Sequence, residues 1–311
     1  MKRRDLLKGG AALGCISAFP FAAKSWMTAG LDEKTSSSPA SLKPPDDGNI
    51  PVAFVLSDGA VMIDFAGPWE VFQDATSGAN DMSMKMGMFN LFTVAETTKP
   101  IRASGGMKII PDYSFADAPA PKVIVIPAQS AQGNPSKAMQ DWIRKSAKTA
   151  DVTMSVCTGA FLLANTGLLS GKAATTHHSA YKQMAMDYSD IHLQRGARFV
   201  DNGNIATAGG LSSGIDLALH VVERYYGREA AESTAYQMEY QGKGWTDPDS
   251  NQAYAVKRIS TAEHPLCAVC DMDVALKTSP KSVYKGKTYY FCSDDHKEVF
   301  DKSPQKYVDA M

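Results

Sequence analysis

The strongest constraint on this chain's fold is a set of short, almost wholly apolar runs separated by amphipathic stretches. Val52-Ala53-Phe54-Val55-Leu56, Phe89 to Ala95, Val123-Ile124-Val125-Ile126-Pro127 and Val152 to Val156 are rich in apolar and β-branched residues. That is the pattern of strands buried on both faces of a sheet. Between and after them the spacing predicts helices. One opens at Gly67-Pro68 and carries Trp69, Val71 and Phe72. A second spans Ser136 to Ser146, capped by Ser136, with Met139, Trp142 and Ile143 on one face. Others cover Gly159 to Leu169, Ile215 to Val222 and Glu229 to Met238, and Met107 to Pro111 reads as a further strand. The alternation predicts an α/β domain over residues 50–241, a mostly parallel sheet with helices on both faces.

The flanks differ. Residues 30–49 are dominated by Ser, Pro, Asp and Gly and predict a disordered linker. Gly242-Lys243-Gly244 and Asp247-Pro248-Asp249-Ser250-Asn251 mark a second linker, 242–262. A small third region, 263–311, holds three of the five cysteines. Lys and Arg number 32 against 33 Asp and Glu, so there is no electrostatic case for a nucleic-acid partner. At the start, Arg3-Arg4, Leu6-Leu7 and Lys8 precede the weakly apolar run Gly9 to Ala23. Residues 1–29 thus resemble a twin-arginine signal peptide, the alternative being the basic start of an amphipathic helix. The run is shorter than the ~20 residues of a membrane span. The resemblance implies periplasmic export of a folded protein and no stable membrane span.

Val152 to Val156 runs directly into Cys157, followed by Thr158, Gly159 and Ala160. A cysteine there stands at the carboxyl end of a sheet and beside a helix N-terminus. Ligands collect at that end of the sheet, and the dipole of the helix favours a thiolate. The expectation is a low-pKa nucleophile; the alternative is a buried structural cysteine.

Val156-Cys157-Thr158-Gly159-Ala160-Phe161-Leu162-Leu163-Ala164, with Gly167 to His177, resembles the nucleophile elbow of the ThiJ/PfpI superfamily. Those proteins have the class I glutamine-amidotransferase-like, flavodoxin-like sandwich fold. Asp58-Gly59, Asp64-Phe65-Ala66-Gly67-Pro68-Trp69 and Gly209 to Leu219 are similar to the isonitrile-hydratase branch, which also includes sensor domains of AraC-type regulators. The resemblance implies Cys157 as nucleophile, Asp64 as the acidic residue touching the thiol, Thr158 and Gly159 as donors of backbone amides, and His177 close by. Asp64 alone could equally be a helix N-cap. Thr158 stands where protease-like members carry histidine, which argues against a peptidase. The family further implies a small-molecule substrate or ligand, a homodimer and no cofactor in the α/β domain.

Cys267-Ala268-Val269-Cys270 is followed, after 21 residues, by Cys292-Ser293-Asp294-Asp295-His296. Three thiolates and an imidazole at these spacings suit a closed tetrahedral metal site; the alternative, a disulfide, leaves an odd thiol. Tyr284 to Phe291 predicts a hairpin turning at Lys285-Gly286, and Lys297 to Phe300 a helix. The segment Cys267 to Tyr307 resembles the YHS domain, with Asp271 where that family has Gly and His296 where it often has Cys. A histidine ligand favours zinc over copper or another heavy metal. The functional expectation is an exported thiol enzyme resembling isonitrile hydratase with an appended metal module. The alternative is a non-enzymatic periplasmic ligand-binding or heavy-metal-handling protein.

Overall fold

The computed structural model describes residues 40–46, 49–76 and 87–309. The predicted signal peptide and most of the first linker lie outside them. Seven strands form the central sheet: β1 (Ile50–Val55), β2 (Phe89–Ala95), β3 (Tyr113–Ser114), β4 (Val123–Ile126), β5 (Val152–Val156), β6 (Phe199–Asp201) and β7 (Ile205–Ala208). Their order is β6-β7-β5-β4-β1-β2-β3. All neighbours are parallel except β6 and β7.

The helices are α1 (Met62–Gln73), α2 (Lys137–Ser146), α3 (Gly159–Asn165), α4 (Tyr181–Asp187), α5 (Ser213–Tyr226), α6 (Arg228–Gln237), α7 (Asp294–Lys302) and α8 (Pro304–Asp309). Side chains alternate along each strand, so β1 divides between two cores. Val52 and Phe54 pack with Val71, Phe72, Leu217 and Ala231 from α1, α5 and α6. Ala53 and Val55 pack with Met139, Trp142, Ile143 and Leu162 from α2 and α3. The sheet is therefore covered on both faces, which is why its strands read as continuous apolar runs. Ser136 caps α2 as expected, its hydroxyl accepting from the Met139 amide at 3.2 Å.

Two expectations change. The first helix starts at Met62, so Pro68 lies inside it and not at its first turn. Proline favours a first helical position, which explains the misplaced start. Inside the helix it leaves the Asp64 carbonyl without the usual amide partner. The strand expected over Met107 to Pro111 shrinks to Lys108–Ile109, pairing antiparallel with Ile101–Arg102 outside the main sheet.

The C-terminal region builds the hairpin β8 (Lys281–Tyr284) and β9 (Lys287–Tyr290), followed by α7 and α8. Lys285 and Gly286 both have positive φ, 49° and 77°, as a two-residue turn of the I′ kind requires. Phe291, Phe300 and Tyr307 form its small core with Cys267 and Cys270.

Residues of both predicted linkers contact the α/β domain. The Leu42 amide donates to the Arg224 carbonyl at 2.7 Å. Trp245 is buried under the Arg228 guanidinium, and the Arg198 amide donates to the Pro248 carbonyl at 2.6 Å. Among the described residues no helix is long and apolar enough to cross a membrane.

A candidate thiol site and a candidate metal centre

At the end of β5 the backbone of Cys157 enters the left-handed region, φ 59°. A residue with a side chain pays about 1–2 kcal/mol for this, so the surroundings must hold it there. They do: its amide donates to the Ala208 and Gly209 carbonyls at 3.2 and 2.8 Å, and the Thr176 hydroxyl donates to its carbonyl at 2.9 Å. The chain then starts α3 hard against the end of β4. A Cβ on Gly159 would lie 2.3 Å from the Ile126 carbonyl oxygen, so only glycine fits.

Asp64 sits in the first turn of α1, fully buried and not at the N-cap, which is Val61. Its Oδ2 accepts from the Ala128 amide at 3.1 Å; its Oδ1 has no partner. Burial lifts its pKa to about 7, opposed by the Ala128 amide and the Cys157 thiol. Cys157 is pushed the same way, to about 12, first by burial and then by the negative charge of Asp64. The expected low-pKa thiol is therefore not what the fold builds in the resting state. Desolvation and a facing carboxylate outweigh the helix terminus.

Two backbone amides and one hydroxyl favour the thiolate against that trend: those of Thr158 and Leu211, and the Thr158 side chain. Leu211 was not expected from the sequence. It too is left-handed, φ 50°, in the loop after β7. Its only sequence signal is Gly209-Gly210 just before it, since a backbone donor leaves no side-chain signature. Gly159 contributes space for the turn.

His177 lies beside that loop. A Cβ on Gly210 would meet its Cδ2 at 2.3 Å. Its Nδ1 accepts from the Ser179 amide at 3.3 Å and lies 2.8 Å from the Ser179 hydroxyl. Burial lowers its pKa, with the neighbouring His178 adding to the effect, so it is neutral at pH 7. The structure thus gathers Cys157, Asp64, Thr158 and Leu211 around the sulfur and puts His177 against the loop that carries Leu211.

In the C-terminal module, Cys267, Cys270, Cys292 and His296 converge, all four ligand atoms lying within 4.8 Å of one another. Cys270 and Cys292 sulfurs are 3.6 Å apart; His296 Nδ1 lies 3.5 Å from Cys267 and 3.1 Å from Cys292. A tetrahedral shell with metal–sulfur bonds of about 2.3 Å has edges of about 3.3–3.8 Å, close to the 3.5 and 3.6 Å separations, so small shifts of the other pairs let the four donors hold a single ion. Local structure aims them. Asp271 turns left-handed at φ 57°, a backbone conformation that favours glycine, and its amide donates to the Cys267 carbonyl at 2.9 Å. Ser293 caps α7, accepting from the His296 amide at 3.3 Å, which puts the histidine in the first turn.

The fold and its buried thiol define a class of cysteine-centred α/β proteins, and comparison with known proteins gives that class its family. Residues 51–224, more than half of the chain, match the DJ-1/PfpI family. The chain belongs to this family, and residues 268–311 match the YHS domain. It is 31% identical to an isonitrile hydratase of Pseudomonas putida over 191 residues, 61% of this chain and 78% of that protein. It is 25% identical to the HTH-type transcriptional regulator GbdR of Pseudomonas aeruginosa, over 61% of this chain and 50% of the regulator. Among solved structures, a ThiJ/PfpI family protein from Pseudomonas syringae aligns with a TM-score of 0.55 at 23% identity, covering 71% of this chain and 83% of that one.

Proposed function

We propose that the chain is an exported thiol enzyme that hydrates small isonitriles or related electrophiles. The observation that carries this reading is the buried Cys157–Asp64 pair, in which burial and the close approach of two acidic groups raise both pKa values. Above pH 7 the pair holds one proton for two acidic groups. Proton transfer from thiol to Asp64 produces the nucleophile and a carboxylic acid in one step. The sulfur bonds to the isonitrile carbon and the carboxylic acid protonates that carbon, giving a thioimidate. Water then adds to the carbon, the C–S bond breaks, and the thiol and an N-substituted formamide are released. The amides of Thr158 and Leu211 favour the anionic sulfur. The 31% identity to an isonitrile hydratase supports the chemistry; it does not select the substrate. Turnover of a panel of alkyl and aryl isonitriles, followed as formamide, tests it: Cys157→Ala must abolish all of it. Wild-type protein inert to the whole panel would leave the second reading.

That second reading is ligand binding without turnover, favoured by the match of the same domain to transcriptional regulators. In the module, zinc is the metal that three thiolates and an imidazole favour. Four protein donors close the shell, so the ion's contribution is structural. Export to the periplasm through the Arg3-Arg4 leader and assembly as a homodimer complete the reading. Cell fractionation of an Arg3→Lys, Arg4→Lys variant and light scattering of the purified chain check them.

A further inference from the structure

The module does not stand apart from the thiol domain. Lys182 of α4 is buried to 7% exposure, and its ammonium donates to the Ala268 carbonyl at 2.8 Å and faces Asp271 at 3.7 Å. Both acceptors belong to the turn that presents Cys267 and Cys270. Around it, the Tyr307 hydroxyl donates to Gln183 Oε1 at 3.0 Å, and Lys306 pairs with Asp187 at 2.7 Å. Met186 of α4 packs on the module's core.

This docking leaves an open-mouthed cavity of about 400 Å3. Cys157 does not itself line it; Thr158, which contacts the nucleophilic sulfur, does, with Phe161 one turn along α3. The module contributes Cys270, His296 and Val299 to the same lining. The size suits a small organic molecule. The charged and amide groups of α4 on its lining, Gln183 and Asp187, are paired with each other and with Tyr307 and Lys306 of the module. None of them is left to select a charged ligand, whereas Phe161, Val269 and Val299 offer apolar contact.

We propose that the docked Cys/His module completes the small-molecule pocket of the thiol site, that this cavity takes a neutral, compact molecule with an apolar body, and that Lys182 positions the module as the pocket's wall. The inference rests on the reading of Cys157 as a nucleophile. It gives the module a role in substrate admission. Two of the metal ligands form part of the wall, so metal loading fixes the wall's shape. A cation beside a site of three thiolates also offsets the net negative charge that a divalent ion leaves there.

The test compares alkylation of Cys157 by N-ethylmaleimide and by the bulkier N-(1-pyrenyl)maleimide in the full-length, metal-loaded protein. Peptide mass spectrometry separates Cys157 from the module's cysteines. Lys182→Met is expected to raise the pyrenyl-to-ethyl rate ratio by about tenfold or more, as removal of one local opening step allows. Metal content should stay at one ion per chain. Val299→Trp fills the cavity from the module side and is expected to slow both reagents severalfold. It also decides the matter if Lys182→Met fails to fold. Normal labelling of Cys157 that neither folded variant changes overturns the pocket and leaves the thiol reading standing. A thiol unreactive in the native fold of every form overturns the thiol reading, and the pocket with it.

Discussion

Two thiol environments in one chain show how position alone assigns a cysteine its chemistry. Cys157 is single, buried and faces a carboxylate, so burial and charge keep its proton on, with the pKa near 12. Cys267 is also buried, but its neighbours Cys270 and His296 hydrogen-bond to it and pull its pKa down, while Cys270 is pushed up in turn. The first arrangement stores a proton for use in a reaction. The second already concentrates negative charge where a cation can replace the remaining protons. The thiolate in the elbow has to be generated by its partner; in the module, neighbouring donors already favour it.

The largest effect should come from breaking the module's set. Cys292→Ser is expected to lose the bound ion, because a structural site in so small a fold draws on the order of 10 kcal/mol from its metal. Cys157→Ser should keep the ion in full. Metal content by mass spectrometry, with calorimetric unfolding of each variant, reads the contrast. Metal retained in Cys292→Ser, or lost in Cys157→Ser, would reverse the assignment of the two environments.

Asp64 sharpens the other side. Its folded pKa, about 7, lies above the unfolded value of 3.8. The unfolded chain therefore releases this proton first, and its contribution makes stability fall as pH rises from about 4 to about 7, then level off. At about 1.4 kcal/mol per pH unit the cost at neutral pH reaches a few kcal/mol. Asp64→Asn keeps an acceptor for the Ala128 amide and removes the charge. It should be more stable than wild type by about that amount at pH 8 and by little at pH 4, while turnover falls about 10²–10⁴-fold. Denaturant unfolding at the two pH values checks the sign; equal gains at both would mean that the fold does not raise the carboxyl's pKa.

Much of this was legible in the chain, and what was not has a common cause. The sheet could be read because strands covered on both faces leave no polar alternation to confuse with a helix. The metal donors could be read because their pairs are local: Cys267 with Cys270 in one turn, Cys292 with His296 across a helix cap. Met107 to Pro111 looked like a strand because it is apolar, yet Met107 and Ile110 are exposed, 50% and 71%, and flank the two-residue strand Lys108–Ile109 of a ribbon beyond the sheet. The raised thiol pKa was hidden because the helix terminus is visible in sequence while burial and the facing Asp64 are tertiary. Leu211 acts through its amide and Lys182 through a contact 86 residues away in sequence, so neither carries a local motif.

His177 should give the smallest effect, and for a reason the geometry supplies. Its Nδ1 is committed to Ser179, and its ring lies close against Gly210 beside the Leu211 loop. A group so placed can steady the backbone donor at the sulfur without exchanging a proton with it. Being already neutral at pH 7, it adds no charge that could favour a thiolate. His177→Gln keeps a hydrogen-bonding side chain of similar reach, so Cys157 alkylation and turnover should each change by less than about tenfold, well below the loss of a general base. The pH profile should keep its inflection near 7, because that inflection belongs to Asp64. A fall of a hundredfold or more, with the inflection gone, would make His177 the proton acceptor and reduce Asp64 to a structural partner of the Ala128 amide.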